Sequence, residues 1–254
     1  MNFSAIYIEL GIVGGAFLLL LLDLVLPRRI QRSGLRWVAV SWLLVCLLAS
    51  FRLYDGLQAG CFWAGLYLLD AYALFFKQLF LAAVLVTVLF SGRYVQKKIY
   101  WQAEFYVLLF FSLLGMCMLA SANDFLTAFI GLELMTISFY ILTGMQMTAV
   151  DSSEAAVKYL LIGSASTAVL LYGMGVLYGM TGSILFASIG QSTQLFLPLS
   201  LVGVALLLSG IFFKLAVIPF HMWAPDVYEG APVPVTALLA MGSKAAGLAL
   251  LMRV

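Results

Sequence analysis

Apolar residues in this chain gather into runs of about twenty, and a run of that length crosses the hydrocarbon layer of a bilayer as an α-helix. Eight such runs fall near residues 5–26, 36–54, 69–91, 104–122, 124–149, 153–179, 197–221 and 232–253. The pattern predicts an all-α fold, a polytopic transmembrane helix bundle, with nothing left over for a soluble domain. The first run, Ala5 to Leu26, follows no positively charged stretch and is long enough to span, so it is expected to stay in place rather than be cleaved. The seventh run holds Pro219, which has no N–H to give to the carbonyl of Leu215, so this helix is expected to be broken. From Glu104 onward Gly, Ser, Thr and Tyr enter the spans, and Gly175-x-x-x-Gly179 predicts a close helix contact.

Composition agrees with the pattern. The 254 residues are 65% hydrophobic and only 9% charged, and the mean hydropathy is +1.12, whereas charged residues make up about a quarter of a soluble domain. A net charge of +2, with no basic tail or Arg-rich helix standing free of the spans, gives no footing for nucleic acid. Cys46, Cys61 and Cys117 are scattered with no C-x-x-C pair, which supports neither an iron–sulfur nor a zinc site in this chain. Arg28, Arg29, Arg32 and Arg36 lie after the first run, and Arg93, Lys97 and Lys98 after the third. Placing these charges in the cytoplasm puts the N-terminus outside and the segment with Asp226 and Glu229 inside.

Some charges sit where spans end and need no special role. Asp23 and Arg52 fall near the interface, and Lys77, seven residues after Asp70, is expected to be interfacial or paired with that aspartate, with a functional group as the alternative. Five groups are harder to absorb: Glu133, Lys158, Lys214, His221 and Lys244. Glu133 lies well inside the fifth span, too deep for a glutamate to reach water, with Thr136, Tyr140 and Gly144 on its helical face. Lys214 sits in the apolar part of the interrupted seventh span, where a lysine is costly to place. A carboxylate near it would make the proton affinity of each depend on the charge of the other, as a proton relay requires, and lysine, unlike arginine, can give up its proton. Lys244 lies near the middle of the eighth span among small residues. Lys158, with Glu154 one turn before it, reads equally as an interfacial pair or as a functional group. His221 either bridges Lys214 to Lys244 as a neutral relay or partners backbone carbonyls at the break. Trp223 and Tyr228 read as interface anchors, and Asp226 and Glu229 as loop carboxylates.

Lys214 and the run from Pro219 to Pro232 (PFHMWAPDVYEGAP) resemble the hallmark of the antiporter-like membrane subunits of respiratory complex I, the NADH:quinone oxidoreductase. The likeness extends over Ala120 to Asp124, Gly131 to Leu134, Glu154 to Tyr159 and Gly242 to Ala246. The resemblance implies three leading helices over 1–103 and an antiporter-like five-helix repeat over 104–254, the family's second repeat lying outside this sequence. It further implies a proton-translocating role carried by Glu133, Lys214 and Lys244, with Lys158 and His221 as accessory positions and Glu133 paired to Lys214. Flavin, iron–sulfur clusters and quinone are then expected in partner subunits and none in this chain, which offers no redox motif. Other membrane subunits of complex I and the lipid of a bacterial inner membrane are the implied partners. A second reading is a subunit of a secondary sodium/proton antiporter. Trp223-Ala224-Pro225-Asp226 argues against it, because related Mrp-type subunits usually have Trp-Leu-Pro-Asp there. A third is a truncated assembly piece that does not pump.

Overall fold

The computed structural model describes residues 6–25, 28–55 and 60–254, with side chains throughout except at 28–33, 53–55 and 193. The side chains of Arg28, Arg29 and Arg32, three of the charges behind the predicted orientation, lie outside the described residues. Among the described residues, eight helices are long and apolar enough to cross a membrane. They are α1 (Tyr7–Val25), α2 (Arg28–Asp55), α3 (Ala71–Lys98), α4 (Gln102–Ser121), α5 (Phe125–Thr143), α6 (Val150–Thr181), α8 (Pro198–Leu215) and a last span, α10 (Val233–Leu238) continued through a π-helical turn, Leu239–Ser243, into α11 (Lys244–Leu251). Between α6 and α8 lie the short α7 (Phe186–Gly190) and a 3-10 turn, and α9 (Ala224–Gly230) follows α8. The chain is an all-α transmembrane bundle as its pattern predicts, with one addition: a β-hairpin with strands of three residues each, β1 (Gly60–Phe62) and β2 (Tyr67–Leu69), between α2 and α3.

The helix ends follow local chemistry. Asp70 caps α3 by accepting from Ala73 N at 2.7 Å, and Asp124 caps α5 by accepting from Leu126 N and Thr127 N at 2.8 and 3.0 Å. Pro198 opens α8, where its missing N–H costs no hydrogen bond. Two sequence expectations about loops are corrected here. The helical pattern persists through polar residues, so Arg93, Lys97 and Lys98 belong to the last turns of α3 and Arg36 lies within α2. Asp226 and Glu229 likewise lie on α9 rather than in a loop.

The core is centred on α4, which packs against α1, α3, α5 and α11 and buries Phe105, Leu109, Phe110, Leu113 and Met116 completely. Two helix pairs approach closely through glycine. At Gly115 a β-carbon would stand 2.6 Å from the carbonyl oxygen of Gly131 on α5, and at Gly173 of α6 it would stand 2.6 Å from Leu207 N on α8. The predicted Gly175-x-x-x-Gly179 contact is not formed, since nothing lies within 4 Å of a β-carbon at either position. The packed stripe of α6 is instead Gly163, Thr167, Leu170 and Gly173, and an offset of two residues, about 200° of rotation, carries Gly175 and Gly179 round to the outer face.

Candidate functional site

The site grows from the way α8 stops. Its last residues form a Schellman motif: Ala216 takes a left-handed conformation (φ 54°), Val217 N donates to Phe212 O at 3.0 Å, and Ala216 N to Phe213 O at 3.0 Å. A non-glycine residue in this conformation costs about 1–2 kcal/mol, so the stop is held by what surrounds it. The sequence places Pro219 inside the helix; in the structure α8 has already ended at Leu215, and Pro219 follows a cis peptide bond in the turn. The helix is broken, as expected, by Ala216 and not by the proline. The second half of the break is α9.

A helix end inside a membrane exposes carbonyls that water cannot reach. Side chains satisfy them here. Trp223 Nε1 donates to Phe213 O at 3.1 Å, and Lys244 Nζ donates to Lys214 O at 2.8 Å. An ammonium at the C-terminus of α8 also complements the helix dipole. The same ammonium lies 4.6 Å from the centre of the Trp223 ring and 5.9 Å from that of Tyr228. Trp223 is buried and Tyr228 half-buried, so neither is the interface anchor that their residue types suggest. The π-helical turn just before Lys244 is a feature common at functional sites.

Lys214 points the other way. It is 4% exposed, and its Nζ donates to Thr167 Oγ1 at 3.1 Å and to Tyr140 Oη at 3.4 Å. Thr167, on α6, in turn donates to Glu133 Oε1 at 2.9 Å or to Gly163 O at 3.1 Å, since a hydroxyl has one proton to give. Glu133 on α5 also receives Thr136 Oγ1 at 3.5 Å. Glu133, Lys214 and Lys244 are thus brought into one chain of contacts, from carboxylate through a threonine hydroxyl to one ammonium, and across a peptide unit to the next. The direct ion pair of Glu133 with Lys214 is not formed among the described residues; Thr167 stands between them. An aromatic column backs the chain: Tyr140 meets Tyr159 edge-on at 4.6 Å, and Tyr159 stacks on Trp223 at 4.8 Å.

The two accessory positions lie outside this chain. Lys158 is 43% exposed and pairs with Glu154 at 2.8 Å and Asp226 at 2.7 Å, tying α6 to α9 beside an open pocket that Asp151 and Glu229 also line. His221 is exposed in the turn, and both lysines have their contacts filled by other groups, so it does not bridge Lys214 to Lys244. Lys77 is neither interfacial nor paired with Asp70. It is fully buried and bound to Glu9, while Asp70 holds Arg253 at 2.7 Å. Thr167 was not among the expected site residues. Its signal in the sequence is the stripe Tyr159, Gly163, Thr167 on α6, at the spacing of one helix face.

The transmembrane family described as NADH:quinone oxidoreductase/Mrp antiporter matches residues 122–254, slightly more than half of the chain. NADH-quinone oxidoreductase subunit N of Desulforamulus reducens is 44% identical over 254 residues, covering 99% of this chain and 53% of its own length. Subunit N of Desulfitobacterium hafniense is 46% identical over 233 residues, covering 91% of this chain and 46% of its own. The chain spans about half the length of the curated relatives it matches. Among solved structures, a chain of respiratory complex I from Thermus thermophilus superposes with a TM-score of 0.82 at 33% identity, over 97% of this chain and 53% of that one. A chain of the Mrp complex from Dietzia sp. DQ12-45-1b superposes with a TM-score of 0.77 at 19% identity, over 98% of this chain and 49% of that one, a likeness of fold alone.

Proposed function

Because the chain belongs to the NADH:quinone oxidoreductase/Mrp antiporter family of transmembrane subunits, we propose that it works as a proton-translocating, non-redox membrane subunit of an NADH:quinone oxidoreductase. The observation that carries this reading is the chain Glu133, Thr167, Lys214, Lys244, assembled at a helix break with Thr167 and Lys214 buried and Glu133 and Lys244 half-buried. Glu133 and Lys214 share one hydroxyl, so a change in the charge of either alters the proton affinity of the other. When Thr167 turns its proton to Glu133, its lone pair faces Lys214 and the two charges are held in balance. When the hydroxyl turns to Gly163 O, Glu133 loses that donor and Lys214 is less strongly held. Lys244, fixed on the carbonyl of Lys214, responds because both ammonium groups share the C-terminal end of α8. Redox chemistry, with its flavin, iron–sulfur clusters and quinone, belongs in this reading to partner subunits, which would set the chain in motion through the membrane helices.

The same proposal assigns residues 1–103 to three leading helices and 104–254 to one antiporter-like repeat. It places the chain in the bacterial inner membrane, with the N-terminus outside and the α6–α9 end facing the cytoplasm, on the side of Arg36, Arg93, Lys97 and Lys98. The relatives at 44% and 46% identity that carry the name subunit N support a redox-coupled reading over sodium/proton antiport. The test is extraction of native membranes in mild detergent, native-gel separation and an in-gel NADH dehydrogenase stain, with the chain located by mass spectrometry. Migration with a large NADH-oxidising band is expected; migration apart from that activity would overturn the reading.

A further inference from the structure

A second buried ionic cluster lies in the leading helices, away from the chain described above. Glu9 of α1 and Lys77 of α3 form an ion pair at 2.8 Å, with the Lys77 side chain wholly inaccessible and that of Glu9 9% exposed. Tyr67, in the hairpin strand β2, closes a triangle: its hydroxyl donates to Glu9 Oε1 at 2.6 Å and accepts from Lys77 Nζ at 2.5 Å. Trp63 meets Tyr67 edge-on at 5.5 Å, and Asn123 Nδ2 holds the hairpin by donating to Gly65 O at 2.7 Å. The triangle is therefore fixed from three sides.

Its asymmetry points to use. Both contacts made by Glu9 fall on Oε1, whereas Oε2 is buried with no hydrogen-bond partner. A buried oxygen left bare is expensive. Burial of an ion pair in a membrane is also dearer than an apolar pair of the same volume, so the charges are not there for stability alone. Depth matters as well. On antiparallel α3 and α11, Tyr72 Oη donates to Ala249 O at 2.9 Å, and five residues along each helix from that contact stand Lys77 and Lys244. The two lysines thus lie at one level of the membrane. The ionisable groups facing Glu9 are Lys77 from α3, Tyr67 from the hairpin and Cys117 from α4, with Cys46 of α2 next to Cys117.

We propose that Glu9, Tyr67 and Lys77 form a second protonatable site, in which Glu9 takes up one proton on Oε2 at the depth of Lys244. On uptake a bond forms between the proton and Oε2, and the carboxylate becomes a neutral acid. Lys77 keeps its charge against the Tyr67 hydroxyl and the Tyr67 ring, whose centre is 4.9 Å away. Release of the proton restores the ion pair, and no electron moves. The use of such a site in transport rests on the function proposed above; its existence does not.

The experiment is an infrared pH titration of the full-length subunit in its native assembly. A carboxylic-acid C=O band that titrates is expected to vanish in Glu9→Gln and to persist in Glu133→Gln, and Lys77→Met is expected to move its midpoint by about one pH unit or more. Tyr67→Phe, which leaves the ion pair in place, is expected to shift the band's frequency. A titrating band that is the same in Glu9→Gln as in the unaltered protein would reduce the triangle to a tether. Should Glu9→Gln fail to assemble, Tyr67→Phe decides, and an unshifted band overturns the site. The titration needs no turnover, so its failure is separate from a failure of proton translocation.

Discussion

Thr167 is the most informative single position, because one hydroxyl joins Glu133 to Lys214. Replacing it with valine keeps the shape and β-branching of the side chain, which is 7% exposed, and removes the contacts at 2.9 Å to Glu133 Oε1 and at 3.1 Å to Lys214 Nζ. A hydrogen bond to a charged group contributes about 1.5–3 kcal/mol. Tyr140 still holds Lys214, and Thr136 still approaches Glu133, so about one such bond is lost without replacement. At about 1.4 kcal/mol per tenfold, the coupled proton flux should fall by about 10-fold to 100-fold. The assay is fluorescence quenching of a pH-sensitive dye in inverted native membrane vesicles, set against NADH oxidation in the same sample. Thr167→Ser restores the hydroxyl and should recover most of the flux. Unaltered flux in Thr167→Val, at equal content of the subunit, would refute the bridging role.

Other positions separate packing from chemistry. Gly163→Ala would bring a β-carbon to 2.2 Å from Tyr140 Oη, so it should displace the tyrosine from Lys214 and lower proton flux while the subunit still assembles, as a native gel would report. Gly173→Leu meets backbone of α8 at 2.6 Å and should cost assembly itself, seen as loss of the chain from membranes. Lys158→Ala removes exposed ion pairs to Glu154 and Asp226 that solvent screens, so the melting temperature of the assembly should move little and the flux should persist.

The spans were legible because a bilayer demands a minimum apolar length of every crossing helix, and all eight runs appear as helices, with ends shifted by up to eight residues where polar residues continue a helix or a cap stops it early. Glu133, Lys214 and Lys244 stood out for a similar reason, since charge at depth is rare enough to be a signal by itself. Thr167 gave no such signal: its hydroxyl can satisfy itself on the carbonyl of Gly163 in its own helix, and only the facing helices reveal the second use. Glu9 and Lys77 were hidden by their nearness to span ends, where an exposed charge is ordinary. Their pairing depends on the hairpin that carries Tyr67, whose strands of three residues each are too short to leave a pattern. The role of Trp223 was likewise set by a carbonyl, that of Phe213, freed by a helix ending that the sequence marks only with an alanine.

The most direct test is the number of protons moved per NADH oxidised in membranes whose only change is Lys214→Ala. Lys214 touches both halves of the chain, through its ammonium to Thr167 and through its carbonyl to Lys244. A reduced proton yield, with the variant subunit present in normal amount in the NADH-oxidising assembly, is the expected result. An unchanged proton yield in the assembled variant would contradict a proton path through Glu133, Thr167, Lys214 and Lys244.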